Sequence, residues 1–261
     1  MRALYTATTG MSAQSLSMDV IANNLANVST TGYKKSQTSF QELIYQYIEV
    51  PGAPTSDSGT QSPSGISVGL GVTPAAVTKI FSEGDLLQTT NELDVAIEGD
   101  GFFQVELPNG NDAYTRAGNF NLDGNGQLVT TEGYPIIPAI TVPDNARHIT
   151  ISETGVVSAI LGDDTVSTEL GNLDIATFVN DSGLLSIGRN LFRETESSGT
   201  PTIGTPGTDG YGTLLQGYLE NSNVNMVNEV AQMITTQRAF EINSKAVSTS
   251  DEMMQTVVNM V

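Results

Sequence analysis

The sequence has no cysteine, no tryptophan and one histidine, and it carries only ten basic residues against 29 acidic ones. Without cysteine there is no disulfide, no thiolate zinc site and no cysteine nucleophile. A single histidine, His148 in "PDNARHITI", excludes a multi-histidine metal site and reads as a surface residue at a strand edge. No apolar run approaches the roughly 18 residues of a membrane span. The first residues, "MRALYTATTGMSAQS", hold one arginine and no apolar run of seven, so a cleavable signal peptide is not expected. The net charge of −19 argues against non-specific nucleic-acid binding.

The charge is unevenly placed. Residues 1–45 and 216–261 together hold 5 Lys/Arg and 7 Asp/Glu, net −2, whereas residues 46–215 hold 5 Lys/Arg and 22 Asp/Glu, net −17. Near-neutral ends suit packing surfaces, and a strongly acidic middle suits a solvated exterior.

Both ends are periodic. Leu4, Met11, Met18 and Leu25 recur every seven residues, with Ala7, Gln14, Ile21 and Val28 as a second stripe. This predicts a helix over 3–28, stopped by "STTG" with Gly32 as punctuation and a candidate for positive φ. At the other end Met226, Met233, Phe240, Val247, Met254 and Val261 are spaced by seven. Val230 and Val258 support a second stripe that Gln237, Ser244 and Asp251 interrupt. No proline or glycine falls between Asn221 and Val261, which predicts one long helix. The methionines suit a seam that adapts to non-identical neighbours. The remaining faces are Asn, Gln, Ser and Thr rather than Lys and Glu, as expected of a second contact face. An ordinary helical hairpin within one chain is the alternative reading of both stripes.

The middle reads as β structure. From 93 to 137, short apolar runs alternate with Gly, Asn and Asp turns, and turn signals recur every 8 to 12 residues. Residues 51–74 and 197–213 are rich in Pro, Gly, Ser and Thr and read as connectors. The expected fold class is α+β, with long N- and C-terminal helices forming a coiled-coil-like core and an inserted, mostly antiparallel β domain. The expected divisions are 1–45 (helical core), 46–75 (extended), 76–215 (β-rich) and 216–261 (helical core).

Residues suited to chemistry are scarce. Asp163 and Asp164 are adjacent in a turn, whereas an acid/base pair needs carboxyls placed across a cleft. "NLDGNGQLVTTE" (121–132) spaces Asn121, Asp123, Asn125 and Glu132 much as a calcium loop would, but its flanks read as strands and a β-hairpin turn is favoured. No catalytic residue, cofactor or metal is expected.

Two segments carry a specific resemblance. "ANNLANVSTTGYKKSQTSF" (22–40) resembles the N-terminal signature of the flagellar rod and hook proteins, on Asn24, Leu25, Ala26, Asn27, Thr31, Gly32, Tyr33, Lys34 and Phe40. "YLENSNVNMVNEVAQMITTQRAFEINSKAVSTSDEMMQ" (218–255) resembles the C-terminal helix of the same family, and "AIEGDGFFQV" and "YTRAGNFNLDGNGQLVTTEGY" its β domain. Within the family, the length and the segment 45–65, with Tyr45, Pro51, Gly52, Pro54 and Pro63, resemble the distal-rod branch, whose extra segment is taken to make the tube stiff.

The resemblance implies a structural, self-assembling subunit of a hollow shaft, exported through the flagellar type III apparatus. Its implied partners are many copies of itself, proximal rod proteins, hook protein, and the peptidoglycan-ring and outer-membrane-ring proteins. In the implied shaft Leu4, Met11, Met18, Ile21, Leu25 and Val28 pack with Met226, Met233, Phe240, Val247 and Met254. Lys34, Lys35 and Arg238 are candidates for ion pairs between subunits. The alternatives are a hook or proximal rod protein of the same family and, from another class, a peptidoglycan-active enzyme or an adhesin.

Overall fold

The computed structural model describes residues 2–52, 64–162, 166–208 and 210–259 of the 261-residue chain. Pro54, Pro63, Asp163, Asp164 and Val261 lie outside the described residues. The chain is α+β: two helices, α1 (Arg2–Ala26) and α2 (Met226–Asn259), bracket a mostly antiparallel β region. The contacts divide into two compact units. The first comprises residues 1–25, 36–78 and 225–261; the second comprises 26–35 and 79–224.

The first unit holds both helices and two small sheets. The strand Ser36–Glu42 pairs with Val72–Lys79, and Tyr45–Glu49 pairs antiparallel with Ile66–Gly69. Tyr45, Tyr47, Ile48 and Ile66 are all exposed on that hairpin. The absence of interior glycine and proline lets α2 run for 34 residues. Asn225 starts it: its side-chain oxygen accepts from the Asn228 N–H at 3.1 Å, satisfying one of the open donors of the first turn.

The second unit is built on a seven-stranded sheet. Its centre is Phe102–Glu106, paired antiparallel with Asp112–Thr115 on one side and Ile175–Thr177 on the other. Successive side chains on a strand point to opposite faces. Phe103 and Val105 join the main core with Val95, Ile97, Phe120 and Leu214. Phe102 joins a second cluster with Tyr114, Ala176 and Phe192, against which Phe81 and Phe178 pack. Phe102 meets Phe81, Phe178 and Phe192 edge-on at centroid distances of 5.5, 5.7 and 6.1 Å, the geometry ring quadrupoles prefer. The turn at 123–126 is a hairpin between Asn121–Leu122 and Leu128–Val129. The Asp123 carboxylate accepts from the Asn125 N–H and the Asn125 side-chain amide, so it serves its own turn.

Replacing Phe103, fully buried at the sheet centre, by alanine leaves a cavity in this unit. Phe103→Ala is expected to lower the unfolding free energy by about 3–5 kcal/mol. Urea unfolding followed by tyrosine fluorescence measures this directly, since the chain has no tryptophan to mask the signal.

Candidate functional site

The periodic ends and the signature motifs are the candidate functional residues. In the first unit α1 and α2 pair within one chain. Asn24 Nδ2 donates to Glu229 Oε2 at 3.3 Å. A Cβ on Gly10 would lie 2.9 Å from Asn243 Nδ2. These contacts are fourteen residues apart on each helix and run in opposite senses, so the helices are antiparallel over about 21 Å at ~1.5 Å per residue. The register sets Ser17 opposite Thr236, midway between these two contacts. Burial agrees: Ala7, Ala13, Ile21, Asn24, Glu229 and Thr236 are buried, and Met233, Phe240, Asn243 and Val247 are half-buried.

On α1, Leu4, Met11, Met18 and Leu25 are half-covered, as is Val28 beyond its end. Met226 and Met254 are exposed. The second stripe of α2 differs from the sequence reading. The covered positions are Glu229, Thr236, Asn243 and Ser250, one residue before Val230, Gln237, Ser244 and Asp251. Val230 and Val258 are exposed instead. Gly10 and Asn24 of α1 meet Asn243 and Glu229 of this polar stripe. An apolar period cannot reveal such a stripe.

In the second unit the two signatures meet. Gly32 has φ 67°, and a Cβ there would lie 2.6 Å from the Ala117 nitrogen, so the turn needs glycine on both counts. Its N–H donates to the Glu220 carbonyl at 2.8 Å. Asn190 Nδ2 donates to the Thr31 carbonyl at 2.8 Å, and Lys79 Nζ lies 4.7 Å from the centre of the Tyr33 ring. Lys34 is not a surface charge available to another subunit. It is buried, and its ammonium donates to Glu220 Oε1 at 2.5 Å and to the Ser82 carbonyl at 2.8 Å. Glu220 Oε2 also lies 3.6 Å from Arg116 Nη1, and the Arg116 guanidinium sits 5.2 Å from the Phe102 ring centre. One buried carboxylate therefore faces two buried cations. Burial lowers the Lys34 pKa below 10.5, opposed by the Glu220 charge.

Ala26 is exposed, Asn27 accepts from Thr30, and Phe40 is exposed on its strand. Tyr45, Pro51 and Gly52 are exposed. Arg238 pairs with Glu241 one turn along α2, with both side chains exposed. His148 lies on the edge strand Ala146–Ile151, exposed and 2.8 Å from Glu92.

Three family models cover most of the chain. The "Flagella basal body rod protein" model matches residues 4–34. The "Flagellar hook protein FlgE/F/G D1 domain" model matches 96–159. The "Flagellar basal body rod FlgEFG protein C-terminal" model matches 215–260. The flagellar basal-body rod protein FlgG of Buchnera aphidicola (strain APS) is 51% identical over 252 residues, 97% of this chain and 96% of that protein. Those of Agrobacterium fabrum and Borreliella burgdorferi are each 48% identical, over 98% and 100% of this chain and 98% of each relative. This chain belongs to the flagellar basal-body rod protein family. Members of this rod and hook family are structural proteins, and the chain is not an enzyme. Among the described residues, no helix is long and apolar enough to cross a membrane.

The rod-family junction has an asymmetric dependence on its charges. Glu220→Leu strands both Lys34 and Arg116, and is expected to cost about 3–5 kcal/mol. Lys34→Met leaves Glu220 with Arg116 and is expected to cost less. With a lowered folded pKa, Lys34 releases its proton before the unfolded chain does, so the unfolded chain binds more protons between the two values. Stability therefore gains from this group as pH rises towards 10.5, a slope that Lys34→Met removes. Denaturant midpoints of both variants across pH 8–10 check the order and the slope.

Proposed function

We propose that the chain is a subunit of the distal rod, a stiff hollow shaft that carries motor torque to the hook. Its near full-length identity to curated rod proteins supports this. In this reading the terminal helices of many copies pack as a coiled-coil core around a channel, with β domains outside. The observation that carries the assembly is the outer surface of α2. Val227, Val230, Ile234, Ile242, Met253 and Val258 are exposed there, with Val227 at 77% and Val258 at 74%. Apolar side chains at that density on one helix favour burial against protein. Neighbouring copies are the occupants proposed for them.

The shaft would join proximal rod proteins to hook protein and turn within the peptidoglycan and outer-membrane rings. It would span periplasm to outer membrane, after export by the type III apparatus. The exposed strand Tyr45–Glu49 lies in the segment 45–65 that resembles the stiffening insertion of distal-rod proteins, and its partner Ile66–Gly69 follows it directly.

Electron microscopy of the concentrated chain tests this reading: straight tubes are the expected outcome. Phe240→Asp sets a charge in the half-buried seam and is expected to abolish tubes while the β unit melts as before. A wild-type chain that stays monomeric at every concentration overturns the proposal, and tubes from Phe240→Asp remove the seam from it.

A further inference from the structure

Within the β unit, a three-stranded antiparallel sheet runs in the order Ala146–Ile151, Val156–Leu161, Ser167–Asn172, so Ala146–Ile151 is an edge strand. Alternate residues of an edge strand turn their N–H and C=O groups away from the sheet, and such a row is a template on which another chain can add a strand. Here the outward groups fall at Ile149 and Ile151, and side chains meet them. The Ile149 N–H donates to Glu92 Oε2 at 3.0 Å. The Ile149 carbonyl accepts from Gln216 Nε2 at 2.7 Å, and the Ile151 N–H donates to Gln216 Oε1 at 3.1 Å. One glutamine amide thus takes a carbonyl and an N–H two residues apart, as a neighbouring strand would. Two residues further on, the Glu153 carbonyl accepts from the Leu214 backbone N–H at 3.1 Å.

The two side chains are themselves braced. Gln216 Nε2 also donates to the Glu92 carbonyl at 2.8 Å. Glu92 Oε1 lies 2.8 Å from Nδ1 of His148, which stands on the strand being covered. The Ile149 N–H first, and His148 second, hold the Glu92 carboxyl below its ordinary range, which keeps the acceptor charged. A hydrogen bond to a charged acceptor is shorter and stronger than one between neutral groups. Gln216 in turn ends the strand Thr213–Gln216, which is fixed by its pairing with Val95–Glu98. The opposite edge of the sheet, Ser167–Asn172, is blunted in another way: its pairing carries a register irregularity, and Glu169 stands exposed within it.

Without Glu92 and Gln216, the outward groups of Ile149 and Ile151 would be open together. Two such strands related by a two-fold axis complement each other, Ile149 of one bonding with Ile151 of the other, and the contact closes on itself. A second copy of this chain is therefore the partner that fits the uncovered edge.

We propose that Glu92 and Gln216 are edge caps that close Ala146–Ile151 to strand addition, and that the occupant they exclude is the same strand of a second copy. The caps let copies of the β unit crowd together without pairing through this sheet.

The absence of native cysteine makes a disulfide at one introduced site unambiguous. The parent and the double variant Glu92→Ala/Gln216→Ala, each carrying Thr150→Cys at an exposed position, are compared at a concentration where the parent is monomeric. In the two-fold pairing the two 150 positions face each other as a non-hydrogen-bonded pair with Cα atoms about 4.5 Å apart, inside the range a disulfide spans. The uncapped chain is expected to sediment as a dimer and, under a mild oxidant, to form at least about 10-fold more disulfide-linked dimer than the capped chain, because pairing raises the effective thiol concentration. An uncapped chain as monomeric as the parent overturns the proposal, as does a dimer that Thr150→Cys fails to cross-link. Should the double variant not fold, amide hydrogen exchange in the unaltered chain decides. The Ile149 and Ile151 amides are expected to exchange at least about 10-fold slower than unprotected amides, and exchange at the free rate overturns the caps.

Discussion

A carboxylate withdrawn from water must be met by cations or by hydrogen-bond donors, and Glu220 is met by both. Lys34 and Arg116 face its two oxygens, and the Gly84 N–H adds a donor at 2.9 Å. Because Lys34 follows α1 by only a few residues and Glu220 precedes α2 by only a few, this one charge cluster brings remote parts of the chain together. The sharp turn at Gly32, the seat of Tyr33 beneath Lys79 and the course of residues 220–224 all follow from where Glu220 must lie. The cluster also selects between arrangements. A shift of either segment would leave two buried cations or a buried anion without a partner, whereas an apolar contact tolerates sliding.

The helices were legible in the sequence because their period and their lack of interior glycine and proline act locally. The β region was legible as a class from its turns, and the 121–132 segment as a hairpin rather than a cation loop. Pairing was not legible: Phe102–Glu106 takes neighbours from residues 112–115 and 175–177, and no local pattern encodes the second choice. The fate of Lys34 was not legible either. A lysine in a polar run reads as solvated, and only the distant Glu220 makes its burial tolerable. The covered polar stripe of α2 escaped for a related reason. Hydrophobic spacing selects Val230, but Gly10, Ser17 and Asn24 on the facing helix decide which side is covered.

The two signatures at the chain ends resolve into separate physical tasks. In "SNVN", the Ser222 hydroxyl accepts from the Val224 N–H, Asn223 bonds two neighbouring segments, at Lys35 and at Ile80, Val224 is buried and Asn225 opens α2. In the N-terminal signature, Asn24 bonds across to Ser36 and Glu229, Thr31 accepts from Asn190, and Gly32 supplies a conformation that other residues resist. Residues that look alike by composition are thus not interchangeable. The asparagine amides are used for their paired donor and acceptor, which is why a helix end facing protein can be rich in them without being wet.

The seam between α1 and α2 sets little apolar surface against apolar surface. Much of its length pairs glycine, serine and asparagine with threonine, asparagine and glutamate, while many of the valines, isoleucines and methionines of α2 look outward. An isolated helix pair of this kind gains little from its own contacts, and helices in water depend chiefly on the packing of an apolar face. In the proposed shaft, copies that cover those outward side chains would add to helix stability in proportion to their concentration. The β unit, with its two apolar clusters, owes nothing to such neighbours. One chain thereby joins a part that closes its own core to a part whose apolar surface is left for other protein to cover.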